Sequence, residues 1–411
     1  MKTEAMKHRV FLGFSCLLLL ADPAPAQPAP AFHVEASYTG DVFGNLAGGL
    51  RRDVVYLDNF DVTLALDLEH LLGWSRTHLF LYGLGNQGGH PSRLAGDAQG
   101  VNNIEAPTAW QLYEAWLQHL RDDGRLSVLL GLYDLNTEFD LIRTAALFIN
   151  SSHGIGPDFS QSGKNGPSIF PHTSVGARVK WLPVDALYVQ AVALDGVPGD
   201  PARPHGTRIR FGREDGLLLA AETGLFFDGM REGTAPVPRR RVSRLGEPVY
   251  RARLGLGAWM YTAAFDVLGR PGEQARSRGA YLLGEWQPYR EPGGTGGLAV
   301  FVRLGAAHAR VNRFGAYLGA GIVYTGPFRG RDDDRLGLAL ASAYNGTPYR
   351  RAQRQAGQPV ERAETTFELT YLALFSARLA LQADLQYVVN PDTNPARGNA
   401  LVLGLRFMAT L

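Results

Sequence analysis

The sequence predicts an all-β protein, an antiparallel transmembrane β-barrel of about sixteen strands, and three observations carry that prediction. Apolar and polar residues alternate with period two along most of the chain. Tight connections take turns with long polar ones, the layout of an outer-membrane barrel with short turns on one side and long loops on the other. After Ala26 no apolar stretch approaches 18 residues, so no segment reads as a membrane-spanning helix.

The first 26 residues stand apart. Lys2, Lys7, His8 and Arg9 precede the apolar run VFLGFSCLLLLA, and Ala24-Pro25-Ala26 offers the small residues that a signal peptidase reads. At about a dozen residues the run is shorter than the roughly 20 needed to cross a bilayer. Residues 1–26 are therefore read as a cleaved signal peptide and 27–411 as the folded domain. The single cysteine, Cys16, lies inside the leader, which leaves no disulfide framework and no zinc set. The 385 residues that follow carry 38 basic against 37 acidic side chains, so bulk charge gives no attraction to nucleic acid.

Strands follow in order along the chain. Near 33–43 and 55–69 the alternation is cleanest: in LDNFDVTLALDLEHL, Phe60, Val62, Leu64, Leu66 and Leu68 oppose Asp61, Thr63, Ala65, Asp67 and Glu69. A strand with one apolar and one polar face is half-buried. LLGW (71–74) turns the chain into 77–85, and a long polar stretch, 86–109, leads to 110–120 and 125–135, joined at RDDG (121–124). Gly, Pro and Asp are the residues that tight turns need. Beyond the long segment 136–173, strands at 174–181 and 186–195 meet at LPVD (182–185), with Val175, Ala177, Val179 and Trp181 opposing Arg178 and Lys180. After the loop 196–216 come 217–228, 249–266, 280–288, 298–306, 314–324 and 336–343. A last long loop, 344–364, precedes 365–373, 378–389 and 400–411. An even count returns both ends of the chain to one side of the membrane.

By that parity the long basic stretch GMREGTAPVPRRRVSRLGEP (229–248) falls on the short-turn side, where it reads as a solvated insertion. In LVLGLRFMATL (401–411) every second residue from Leu401 is apolar. Lipid-embedded backbone must be fully paired, so the sheet has to close on itself, and this segment is expected to be the closing strand read by the barrel assembly machinery.

The chain resembles the carbohydrate-selective porin family (OprB type). The resemblance is carried, in order, by NNIEA (102–106), LYEAWLQ (112–118), GLYDLNTEF (131–139), ALFINSSHG (146–154), GPSIFP (166–171), VALDGVPGDP (192–201), GLAVFVRLG (297–305), GIVYTGPFRGRDDDRLGLALA (321–341) and NPARGNALVLGLR (394–406). It implies a passive outer-membrane channel of sixteen strands for glucose and related sugars, in a Gram-negative cell. A general diffusion porin without sugar selectivity is the alternative.

A channel for neutral sugars needs a narrow place where hydroxyls exchange water for protein hydrogen bonds without being trapped. Segment 136–173 is too long for a simple hairpin. It carries Glu138, Asp140, Arg143, Asn150, His153 and Asp158 around Leu147, Phe148 and Ile149, and those apolar groups need a surface to pack on. Together with the resemblance, this predicts a long loop folded into the lumen. A basic side chain facing lipid at the midplane costs about 2–4 kcal/mol, so the strand charges are assigned to the lumen. The candidate constriction residues are Glu114, Trp116, Glu138, Arg143, Arg178, Glu222, Glu285 and Arg303, with Gln118, Lys180, Phe301, Glu368 and Asp384 on the same faces. Glu138 and Arg143 are expected to meet Glu114 and Trp116. For Trp116 the competing place is the lipid interface, beside Trp110 and Trp181.

Other chemistries are weaker. The turn RDDDR (331–335) has the carboxylates of a calcium site but reads as a solvated turn. A barrel phospholipase would use Ser152 and His153, yet in extended chain neighbouring side chains point to opposite sides. No metal or cofactor is expected; the expected partners are sugars, lipid and the assembly machinery, and the protein stands as a monomer or homotrimer.

Overall fold

A computed structural model describes residues 31–227, 245–246, 250–292 and 296–411; the expected leader and nearly all of the basic stretch lie outside them. Alternation becomes sixteen strands: β1 (Phe32–Ala47), β2 (Asp53–Asp67), β3 (Thr77–Gly88), β4 (Ala109–Arg121), β5 (Leu126–Tyr133), β6 (Ser174–Val184), β7 (Leu187–Asp195), β8 (Leu217–Phe227), β9 (Ala252–Asp266), β10 (Gln274–Arg290), β11 (Gly297–Ala307), β12 (Phe314–Thr325), β13 (Arg335–Asn345), β14 (Ala363–Ser376), β15 (Leu379–Val389) and β16 (Ala400–Thr410). Each pairs antiparallel with its sequence neighbour, and β1 joins β16 from Ser37↔Thr410 to Ala47↔Leu401, which closes the barrel. Among the described residues no sheet edge is left unpaired, as a bilayer requires.

The alternation sorts residues to the two sides of the wall. On β16, Leu403, Leu405 and Phe407 are exposed outward while Val402, Arg406 and Met408 are buried inward. Trp110, Trp181 and Trp286 lie on the outer face, about half exposed or more. Trp116 instead points inward, stacked on Phe80 with ring centroids 4.8 Å apart. A bulge at Tyr82/Gly83 shifts the register of β4 there, so Tyr113 and Glu114 are both buried.

Among the described residues, the turns at the end where β1 begins and β16 ends are short. Asp67 caps a five-residue helical turn, Leu68–Leu72, by accepting from the backbone N–H of Glu69, and Gly73 ends it in the left-handed region. In the RDDDR turn, Asp334 is engaged by Arg331 at 2.7 Å, by the Tyr371 hydroxyl and by the backbone of Leu374. That carboxylate closes the turn. The expected strand edges move little, except that β10 begins six residues earlier than the pattern suggests, at Gln274.

The apolar core lies inside the barrel. Leu135, Phe139, Ile142, Leu147, Phe148 and Phe159 of loop 134–173 pack against Trp259, Tyr281 and Phe301 of the wall. Phe159 lies flat on Trp259, with centroids 4.6 Å apart. Each such side chain contributes about 1.5–3 kcal/mol when buried, which is the force that draws the loop inward.

Candidate functional site

Loop 134–173 is fastened around most of the lumen. At its start the Glu114 carboxylate accepts from the Asp134 backbone N–H and the Trp116 indole, each at 3.1 Å, and Tyr113 donates to the Asp134 carboxylate at 2.6 Å. Glu138 pairs with Arg178 at 2.7 Å and lies 3.5 Å from Lys180, both on β6. Burial by itself would raise the Glu138 carboxyl; Arg178 and Lys180, with the Tyr133 hydroxyl, outweigh it and hold the group below the usual carboxylate range.

Deeper along the loop the anchors change from side chain to backbone. Glu222 on β8 accepts from the Asp140 N–H at 2.8 Å, from Tyr188 at 2.8 Å and from Tyr281 at 2.7 Å, and pairs with Arg253 at 3.1 Å. Glu285 on β10 takes the Thr144 N–H at 2.8 Å, and Arg253 donates to the Leu141 carbonyl at 2.7 Å. On the far wall, Glu368 caps the Ile149 and Asn150 N–H groups at 2.5 and 3.1 Å, and Gln382 reaches the Leu147 carbonyl at 2.6 Å. These backbone groups of an irregular segment thus find wall partners, as burial demands.

Arg303 on β11 ties two distant parts of the loop together. Its guanidinium holds Asp140 through two bonds of 2.6 and 2.8 Å and Asp158 at 2.7 Å. A Cβ at Gly305 would lie 2.2 Å from the Asp158 carboxylate, so the close seating needs glycine there. Burial pushes the Asp140 carboxyl up to about 7, with Arg303 working against it and Asp158 and Glu222 adding to it.

A second loop, 89–108, also turns inward. Asp41 and Arg406 pair at 2.7 Å, Asn102 donates to Asp41 at 2.7 Å, and Arg406 donates to Asn103 at 2.8 Å. The Ala98 and Gln99 N–H groups rest on Glu364. The two loops are stitched to each other where Ser151 N–H meets the Gly100 carbonyl at 2.8 Å.

Every strand residue expected at the constriction lies on the lumen side, but none stands in water: Glu114, Trp116, Arg178, Glu222, Glu285 and Arg303 are only 2–4% exposed. Alternation gives the side, while the loop that covers it comes from elsewhere in the chain. Glu138 meets β6, so the expected pairing with Glu114 and Trp116 is replaced by one with Arg178. Arg143 is half-buried just before the turn 144–147. Ser152 donates to the Gln99 carbonyl, while His153 sits between Phe148 and Phe301, where burial pushes its ring down to about 3. The two do not form a nucleophile–base pair.

Two wall features stand outside the candidates expected from the sequence: Arg253 and the group around Asp61. Arg253 alternates with Leu254 and Leu256 in RARLGLGAW, a signal of the same kind that marked Arg303. Asp61 is half-buried on the inner face of β2 and accepts from Ser37 at 3.1 Å, Asn59 at 2.8 Å and the Tyr82 hydroxyl. Among the described residues no cation pairs with it.

The model of the carbohydrate-selective porin OprB family matches residues 51–411. Porin B of Pseudomonas aeruginosa is 26% identical over 414 residues, covering 91% of this chain and 86% of that protein. Among solved structures, the high-pH structure of Pseudomonas putida OprB superposes with a TM-score of 0.79 at 21% identity, covering 93% of this chain and 94% of that one. The outer membrane channel DcaP of Acinetobacter baumannii shares the fold with a TM-score of 0.56 at 9% identity, over 92% of this chain and 97% of that one. With a closed sixteen-strand barrel, a lumen narrowed by inward loops and a family match over nearly the whole described chain, this protein belongs to the carbohydrate-selective porin OprB family.

Proposed function

We propose that this barrel is a passive outer-membrane pore through which neutral sugars such as glucose diffuse into the periplasm, after export with a signal peptide spanning residues 1–26. The observation that supports it most is a lumen narrowed from within by two loops fastened to the wall, since pore diameter and lining groups at a constriction are what set selectivity. The anchors Arg178, Glu222, Glu285 and Arg303 hold the loop in shape, as does Glu114 with Trp116, and set the aperture without facing the solute. Glu138 and Arg143, both partly exposed at the edge of the loop, face sugar across the channel. On the wall of β1–β3, Ser37, Asp61 and Tyr82 stay half-buried. One closed barrel is a complete pore by this reading, and its last strand carries the mark read by the assembly machinery.

Liposomes containing the folded protein are expected to swell in glucose without an energy source, and faster than in an amino acid of similar size. Swelling at the rate of empty liposomes would sink the proposal.

Asp61 is the wall group best suited to accept from sugar hydroxyls. A hydrogen bond to a charged group is worth about 1.5–3 kcal/mol, so Asp61→Asn is expected to weaken sugar block of the ion current by about tenfold with little change in conductance. Unchanged block would place the contact elsewhere on the lumen.

A further inference from the structure

The outer wall carries a feature that sugar passage does not use. Across six neighbouring strands, β7 to β12, outward-facing alanines are paired in one continuous row, Ala191↔Ala221, Ala221↔Ala258, Ala258↔Ala280, Ala280↔Ala306 and Ala306↔Ala316, which runs obliquely along the tilted wall. Larger side chains border them, including Val179 and Met260, and a shallow apolar depression of about 920 Å³ results. Arg278 and His308 line its end nearest the long loops.

Among the described residues the charge at that end has no counterion. Arg276 and Arg278 are exposed on the same outer face of β10, two residues apart. The nearby Glu273 is taken by Arg310 at 2.6 Å and Arg270 at 3.2 Å, and Asp266 accepts from Gln274. Neither Arg276 nor Arg278 makes an ion pair among the described residues. Depth is set by Trp286, exposed on the same face of the same strand. The eight residues from Trp286 to Arg278 rise about 20 Å, at ~3.4 Å per residue and a tilt of ~40°. The apolar band of such barrels is about 25 Å tall. With an interfacial tryptophan at the turn side, the two guanidinium groups stand at the headgroup level of the opposite leaflet.

We propose that this depression seats a multiply acylated, phosphorylated glycolipid of the outer leaflet, with its phosphate on Arg276 and Arg278 and its chains on the alanine floor. Arginine and phosphate match as a forked donor and a multi-oxygen acceptor. Five strand spacings of about 4.8 Å, inclined by the ~40° strand tilt, make the floor roughly 18 Å across in the membrane plane. That is room for several acyl chains side by side, more than a two-chain phospholipid brings. The assignment of the leaflet rests on the porin reading, in which the long loops lie outside.

The test uses the full chain in detergent and a bis-phosphorylated, hexa-acylated glucosamine disaccharide, followed by native mass spectrometry and thermal unfolding. The lipid is expected to bind and to raise the unfolding temperature. The double variant Arg276→Ala/Arg278→Ala should lose at least about tenfold in affinity. Ala258→Leu/Ala280→Leu, which fills the floor and keeps both arginines, should weaken binding as well. Equal binding of the dephosphorylated lipid or of phosphatidylglycerol would overturn the proposal, as would wild-type affinity in the arginine variant. Glucose swelling measured on the same preparations separates the two readings, because a working pore that ignores the lipid refutes only the lipid site.

Discussion

Replacing Arg303 with Met is expected to open the channel severalfold while leaving the barrel assembled. The guanidinium is nearly inaccessible and holds two buried carboxylates, Asp140 and Asp158, from separate parts of loop 134–173. Removing one partner of a buried ion pair costs about 3–5 kcal/mol, because the other is left charged in a poor solvent. Here two carboxylates are stranded at once, and the Asp140 carboxyl is already pushed up to about 7 by burial with Arg303 in place. Unseating the loop returns both to water, whereas the sixteen-strand ladder does not depend on it. Single-channel conductance should therefore rise, and swelling should no longer separate glucose from a similar-sized amino acid. The rescue is specific: adding Asp140→Asn and Asp158→Asn removes the stranded charges and should bring conductance back toward the original value. A folded Arg303→Met protein with unchanged conductance and sugar discrimination would show that the loop is held by its other anchors.

Phe407→Asp should block assembly rather than transport. Phe407 sits on the outer face of the closing strand, paired with Gly40 on β1 and Leu381 on β15. The substitution gives up about 1.5–3 kcal/mol of apolar burial against lipid and sets a carboxylate in hydrocarbon at the seam. Both neighbouring ladders share that penalty, since β16 is their only bridge. Heat-modifiable protein in the outer membrane should fall steeply, and normal levels would count against the closing role of this face.

That Phe407 faces lipid is legible in LVLGLRFMATL, because a strand turns every second side chain to the same side and only one side of this wall is apolar. By the same rule the lumen side of Glu114, Arg178, Glu222, Glu285 and Arg303 was legible, along with the strand count and the identity of the long loop. Arg253 obeys the rule as plainly and could have been found with it. Glu138 and Asp140 could not be given partners in this way, since their segment has no period.

Alternation is local physics: it settles which face each residue takes, and hence a closed barrel with apolar skin and polar lumen. Whether a lumen charge meets water, sugar or another charge depends on what fills the space before it, and that filling comes from far away in the chain. Arg303 and Asp158 are 145 residues apart, Glu368 and Ile149 are 219 apart, and Arg406 and Asp41 are 365 apart. Only barrel closure brings these groups within bonding distance, and only burial of Phe139, Phe148 and Phe159 against the wall holds the loop where its carboxylates and N–H groups find them.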